Sequence, residues 1–291
     1  MTPKGRDDAR SGRSWAAGRA RGTQAPPARR FTPVDVDVSA LHLILLCVAA
    51  LIAGMVDAIA GGGGLISLPA LLAAGLPPHV ALGTNKGQSV FGSFAALVRF
   101  SRAGLVDGNL ARVTFPFGLG GAFGGAALVL LVKPEVLKPL VLVLLIAVAV
   151  FLAFRKSPRP GDMPEPGPPA RARAIGALIA LAIGTYDGFF GPGTGTFLIV
   201  AFSSLLGHGL ARASADAKVV NFASNLASVA LFAFKGVVLW KVALPMAGAQ
   251  FAGAYLGAHL AVKGGDKLVR KVVLGVVLAL VLKLGHDVVT A

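Results

Sequence analysis

Two lysines and two aspartates stand at matched places inside stretches that are otherwise apolar: Asp57 and Lys86, then Asp187 and Lys218. A lysine carried into hydrocarbon costs about 3 kcal/mol or more, so it needs a carboxylate, an anionic ligand or a route to the headgroups. Each lysine lies in a polar patch, with Gly83, Thr84, Asn85, Gln88 and Ser89 around Lys86 and Asp216, Asn221, Ser224 and Asn225 around Lys218. Two such ammonium groups can hold a dianion that neither would hold alone. Asp57 and Asp187 have the chemistry of proton acceptors, because burial disfavours a charged carboxylate. They also have two structural alternatives: capping the helix that follows, or pairing with the lysines. Asp216 has no acidic counterpart, position 84 being threonine, and it is expected to neutralise part of the Lys218 charge.

Each aspartate is followed by a glycine cluster, Gly61 to Gly64 in one case and Gly191, Gly193 and Gly195 in the other. Glycines let a helix unwind, and unwound backbone at membrane depth is tolerated only where protein or a wet cavity surrounds it. The candidate substrate-binding set is therefore Lys86, Lys218, Thr84, Asn85, Gly62, Gly63, Gly64, Gly193, Gly195, Asn221 and Asn225. Asp57 and Asp187 are the candidates for proton coupling or gating. Gly118, Gly120, Gly124 and Gly125 read instead as places where helices pack closely. The run Gly191-Pro192-Gly193-Thr194-Gly195-Thr196 lacks the Gly-Lys-Ser/Thr ending of a phosphate loop. The histidines, His42, His79, His208, His259 and His286, show no metal-ligand spacing, and His79 and His208 read as solvated loop residues. A single Cys47 gives neither a disulfide nor a thiolate metal site. No cofactor and no enzyme activity are expected.

The elements that would position these groups come as a duplication. Placing Lys86 on Lys218 gives an offset of 132 residues, which also lays Ala103-Gly104-Leu105-Val106 on Lys235-Gly236-Val237-Val238 and Gly121 to Ala126 on Gly253 to Ala258. Bilayer-length helices, roughly 20 residues each, are predicted at 39–60, 79–101, 111–132 and 136–154, and again at 174–190, 212–234, 242–262 and 268–286. Two shorter apolar pieces, Leu65 to Leu76 and Thr196 to Leu206, are too short to cross and read as re-entrant or half helices. The fold class is thus all-α and integral to the membrane, with about eight transmembrane helices in two four-helix repeats. The organisation is a disordered basic tail (1–38), a first repeat (39–154), a Pro-rich linker (155–173), a second repeat (174–286) and a short C-terminal tail (287–291). Four crossings per copy is an even number, which predicts two copies of the same orientation; an odd number would make the repeat inverted, and both arrangements stay open. Lys and Arg placement favours both termini in the cytoplasm, although Arg212, Lys263 and Lys267 then fall outside.

Composition agrees with a membrane protein: 55% apolar, 14% charged, mean hydropathy +0.74 and 38 glycines, against a charged fraction of about a quarter in soluble domains. The net charge of +15 does not form a nucleic-acid-binding stripe: eight of the 28 Lys and Arg lie in residues 1–38 and five more between Arg155 and Arg173, in Pro- or Gly-rich stretches. Arg29-Arg30-Phe31 resembles a twin-arginine signal, but the apolar stretch after it is too long for one. The expected partners are a small anion and the lipid bilayer; nucleic acid is excluded and a homo-oligomer is left open.

The sequence from Gly54 through Asp57 and Gly61-Gly62-Gly63-Gly64 to Leu72, with Ala81-Leu82-Gly83-Thr84-Asn85-Lys86 and Phe91-Gly92-Ser93, resembles the TauE/SafE family of sulfite exporters and related anion transporters. The glycine-rich segment from Asp187 to Phe197 continues that resemblance, which covers roughly residues 40 to 286. It implies a polytopic inner-membrane protein that moves small sulfur-containing or organic anions of the sulfite and sulfonate class. The expected function is secondary transport with proton coupling; the alternatives are a passive anion channel and a membrane scaffold without transport.

Overall fold

The computed structural model describes residues 38–154 and 168–290. The basic tail up to residue 37 and the linker from 155 to 167 lie outside the described residues, as do the expectations made for them. The described chain is helical throughout: α1 (Ala40–Ala60), α2 (Gly64–Ala73), α3 (Pro78–Arg102), α4 (Gly108–Leu131), α5 (Pro134–Phe154), α6 (Pro169–Phe189), α7 (Thr194–Leu206), α8 (Leu210–Phe234) and α9 (Trp240–Thr290). α9 is broken at Gly265, whose backbone is not helical (φ 53°, ψ −155°). Among the described residues, α1, α4, α6 and α8 are long and apolar enough to cross a membrane, while α2 and α7 are short apolar helices.

Local chemistry sets the ends. The Ser39 side chain accepts the His42 N–H to start α1, and Asp107 accepts the N–H groups of Asn109 and Leu110 to start α4. Pro78 opens α3, where its missing N–H is no loss. α1 stops at Gly61, which takes the left-handed conformation (φ 80°) that closes many helices.

Close packing then fixes which helices are neighbours. Leu51 lies against Gly253 and Met55 against Gly257, so α1 and α9 run side by side in the same direction. Gly118 lies against Gly184 and Ala122 against Gly188, which makes α4 and α6 the equivalent parallel pair. Each copy's first helix therefore packs on the other copy's glycine-rich helix. Gly118 and Gly125 touch Val220 and Thr185, as a packing role requires, whereas Gly120 and Gly124 have open space beside them.

The expectation that both copies share one orientation is corrected. The Asp107 N–H bonds to Asp216 Oδ1 (2.8 Å), so the loop after α3 meets the start of α8. The Leu239 N–H bonds to Thr84 Oγ1 (3.0 Å), so the loop after α8 meets the start of α3. α3 and α8 are thus antiparallel, and the loops matched in sequence, 103–106 and 235–238, lie at opposite ends. Two apolar clusters mark those ends. One gathers Leu46, Leu76, Val80, Val129, Val237 and Val242, and the other gathers Ile59, Phe100, Leu110, Leu206, Leu210 and Val269. We call them the Ser39 end and the Asp107 end. The reason for the error is physical: α1 runs toward the Asp107 end, but α2 brings the chain back, so α3 starts where α1 started. The α1–α2 pair is a hairpin that returns the chain to the Ser39 end, and Arg212 lies at the same end as Arg102.

Candidate functional site

The two glycine breaks cross each other inside the protein. Gly61 packs on Gly195, with Thr196 N–H reaching Gly61 O (3.3 Å) and Thr196 Oγ1 reaching Ala60 O (2.8 Å). Reciprocally, a Cβ on Gly64 would stand 3.1 Å from Pro192. Left-handed Gly61, Gly191 and Gly193 make the tight reversals possible. The half helices α2 and α7 therefore begin side by side. A helix leaves its first-turn N–H groups without intrahelical partners, and both starts present that positive dipole end to the same place.

Around this crossing lies a polar cavity of about 30 Å³, enough for one or two waters. Its wall includes Asp57, Lys86, Asp187, Asn85, Asn221 and Asn225, together with Gly64 and Gly195 from the half-helix starts. The lysines and aspartates are joined crosswise between copies: Lys86 Nζ to Asp187 Oδ1 at 2.8 Å, and Lys218 Nζ to Asp57 Oδ2 at 2.8 Å. Of the readings open for the aspartates, pairing with the lysines is the observed geometry. The ammonium groups are thus not bare; each is neutralised, and the four charges sum to zero.

The two pairs are not equally held. Asp187 also accepts from Thr194 Oγ1 (2.9 Å) and from Ser224 Oγ, and Lys86 donates to Asn225 Oδ1 (3.1 Å). Among the described residues Asp57 has, beyond Lys218, a single long contact from the Gly63 N–H (3.4 Å), and its side chain is 19% exposed against 6% for Asp187. Two amide oxygens on the cavity wall, those of Asn221 and Gln250, are buried without a partner among the described residues. An amide there can turn either oxygen or NH₂ toward a guest.

Several predicted site residues converge here: Lys86, Asn85, Gly64, Gly195, Asn221, Asn225, Asp57 and Asp187 all line the cavity. Lys218 stands behind Asp57, fully enclosed. Thr84 faces the Leu239 N–H rather than the cavity. Gly62 and Gly63 form the turn into α2, accepting from Leu65 and Ile66, and Gly193 packs on Phe197 at the start of α7. Asp216 does not neutralise Lys218. Residues two apart on a helix point to different faces, and Asp216 turns to the Asp107 N–H and to His208 Nδ1 (2.9 Å). His79 and His208 are not solvated either: the first is buried against Val129 O (3.2 Å). Ser89, Thr194, Ser224 and Gln250 were missed as site residues. Gln250 was findable, since it stands in the second copy where the first has Gly118.

The family model described as sulfite exporter TauE/SafE matches residues 46–284. A probable membrane transporter protein, ORF9, of Sinorhizobium is 42% identical over 85% of this chain and 94% of its own length. A probable membrane transporter protein of Haemophilus influenzae is 39% identical over 87% and 98%. The probable membrane transporter protein YfcA of Escherichia coli is 38% identical over 86% and 92%. No solved structure matches the chain.

Proposed function

Because the chain belongs to the sulfite exporter TauE/SafE family of membrane transporters, we propose that it is a secondary transporter of small sulfur-containing or organic anions, of the sulfite and sulfonate class, across the cytoplasmic membrane. The observation that carries this reading is the pair of crossed Lys–Asp bridges around a polar cavity where two half helices begin. An anion entering there takes the place of an aspartate on a lysine and is met by first-turn N–H groups of α2 and α7.

Charge balance supports proton coupling. The four charges already cancel, so an added anion leaves an uncompensated charge in the interior unless a cation accompanies it. The displaced aspartate is the group placed to carry the compensating proton, and Asp57 is the one held by fewer donors. The cavity of about 30 Å³ must enlarge to admit the anion, so this form is closed around its site.

The architecture under this reading is an inverted repeat, residues 39–154 and 174–286, each a re-entrant hairpin (α1–α2 or α6–α7) followed by crossing helices. In this reading α1 and α6 turn back at α2 and α7 instead of completing a passage. Inversion also clears the charge bias. Arg99, Arg102, Arg112, Arg171, Arg173, Arg212, Lys263 and Lys267 fall at the Asp107 end, against Lys133, Lys138, Lys235 and Lys241 at the Ser39 end. By the positive-inside rule the Asp107 end is cytoplasmic, so residue 38 lies on the outer side, reversing the expectation for the N-terminus.

The test is uptake into proteoliposomes of sulfite, sulfate, sulfoacetate and short carboxylates, with and without a pH gradient. Saturable flux with trans-stimulation, driven by the gradient, is the expected result. Unsaturated conductance would establish a pore, and no flux for any anion would remove the transport reading.

A further inference from the structure

A second cavity, of about 550 Å³, opens at the Asp107 end between the starts of α4 and α6 and the α7–α8 loop. Its volume is in the range of small-molecule sites, well above that of the central cavity. The wall is basic: Arg171, Arg173, Arg212 and His208 line it, and Asp107 is the carboxylate among its lining residues. Asp107 is already engaged, bonded to Arg212 Nη2 at 2.8 Å. His208 is likewise paired with Asp216 (2.9 Å), which also takes the Asp107 N–H. Arg171 and Arg173 are exposed and meet no carboxylate among the described residues. Among the described residues the charge lining the cavity is therefore net positive, set by two guanidinium groups on the first turns of α6, whose own dipole adds to it.

Asp216 belongs to the network beneath this cavity, on the same helix, α8, that carries Lys218 toward Asp57 on another face. We infer that the cavity is a second anion site, in which Arg171 and Arg173 hold a small oxyanion at the Asp107 end. The inference rests on the proposed function for its choice of sulfite as probe. It does not rest on transport occurring.

The experiment is equilibrium binding of radiolabelled sulfite to the full-length protein in nanodiscs of zwitterionic phospholipid. In parallel, modification of Arg171 and Arg173 by phenylglyoxal is followed by mass spectrometry. Sulfite is expected to slow modification of both arginines several-fold. Arg171→Gln with Arg173→Gln is expected to weaken this binding roughly ten-fold, as loss of charge-assisted contacts should. Both positions are exposed, so the variant should fold, and its unfolding temperature checks that. A Lys218→Met protein is expected to keep the arginine protection while losing flux. Unchanged modification rates at saturating sulfite would overturn the inference. So would protection seen only when anionic phospholipid is added, which would assign the arginines to headgroups. Protection without any flux would leave the second anion site standing and remove the transport reading; flux and binding indifferent to the double substitution would do the reverse.

Discussion

The Lys218 ammonium lies 2.8 Å from Asp57 Oδ2 with none of its side chain exposed, and its sequence equivalent Lys86 lies 2.8 Å from Asp187. Each bridge spans the two copies, so neither copy can neutralise its own lysine. Separating the copies at either point would strand a charge of each sign in a low-dielectric interior, where an isolated ion costs far more than an ion pair.

That arrangement predicts strong coupling at one bridge. Lys86→Met leaves Asp187 buried without its cation, and Asp187→Asn leaves Lys86 with only Asn225. Each single change should cost about 3–5 kcal/mol of stability, while the double change should cost clearly less than their sum. Thermal unfolding of the four proteins in detergent gives the cycle; additive losses would mean that the bridge is not a unit.

The glycine seams make a prediction with internal controls. A Cβ on Gly125 would strike Thr185 O, and one on Gly257 would strike Met55 O, both of them backbone atoms that cannot swing aside. Gly125→Ala and Gly257→Ala should each cost about 1–3 kcal/mol. Gly120→Ala and Gly124→Ala meet nothing within 4 Å and should be neutral or slightly stabilising in their helix. Melting temperatures that fail to separate these pairs would contradict the seam.

Much of this was legible in the sequence, for reasons that also mark where legibility stopped. The helix starts at Ser39, Pro78 and Asp107 and the break after Gly61 are local chemistry, so they can be read from neighbours in the chain. Polar residues on one helix face, such as Asn221 and Asn225, announce a lined interior because hydrocarbon forbids them elsewhere. The crossed partnering of Asp57 with Lys218 was not legible, since pairing within a copy satisfies the same charges. Orientation was misread because parity depends on whether α1 delivers the chain to the far side. That is decided by α2 folding back along α3, through contacts such as Ser67 Oγ to Asn85 Oδ1 (2.7 Å).

Asp107 sits in the loop between α3 and α4, outside the membrane-spanning helices, and predicts an acid response. Burial alone would raise its pKa, but the N–H groups of Leu110 and Asn109 and the Arg212 guanidinium outweigh that and hold it below the ordinary value. A depressed folded-state pKa gives stability that is present above the unfolded value and lost as pH falls through the folded one. The advantage of the unmodified protein over Asp107→Asn should therefore persist at neutral pH and shrink below about pH 4. Unfolding temperature against pH measures it; because the side chain is 28% exposed, the effect should be small. A gap that widens on acidification would reverse the sign and refute the account.

Sidedness is testable without any transport. With Cys47 replaced by serine, Asn109→Cys should react with a membrane-impermeant maleimide only in inside-out vesicles, and Lys133→Cys only in right-side-out ones. Both reacting from the same side would contradict a crossing by α4, which these positions bracket.

The tie from Leu239 N–H to Thr84 Oγ1 and the tie from Asp107 N–H to Asp216 Oδ1 are equivalent under the repeat, yet one acceptor is a neutral hydroxyl and the other a carboxylate. Each joins a loop of one copy to the helix that carries the other copy's lysine, two residues before it. Hydrogen bonds to a charged acceptor are roughly twice as strong as neutral ones, and Asp216 is further braced by His208. The Asp107 end should therefore be held shut more firmly, and the closure at the Ser39 end should yield first. Thr84→Val, which removes the weaker tie, should raise reactivity of a cysteine placed at Ser89 toward a reagent supplied from the Ser39 end, with little change from the other. Asp216→Asn should do the converse and by a larger factor, since it weakens the stronger closure. Equal reactivity from both ends in both variants would mean that these contacts brace the loops without governing access to Lys86 and Lys218.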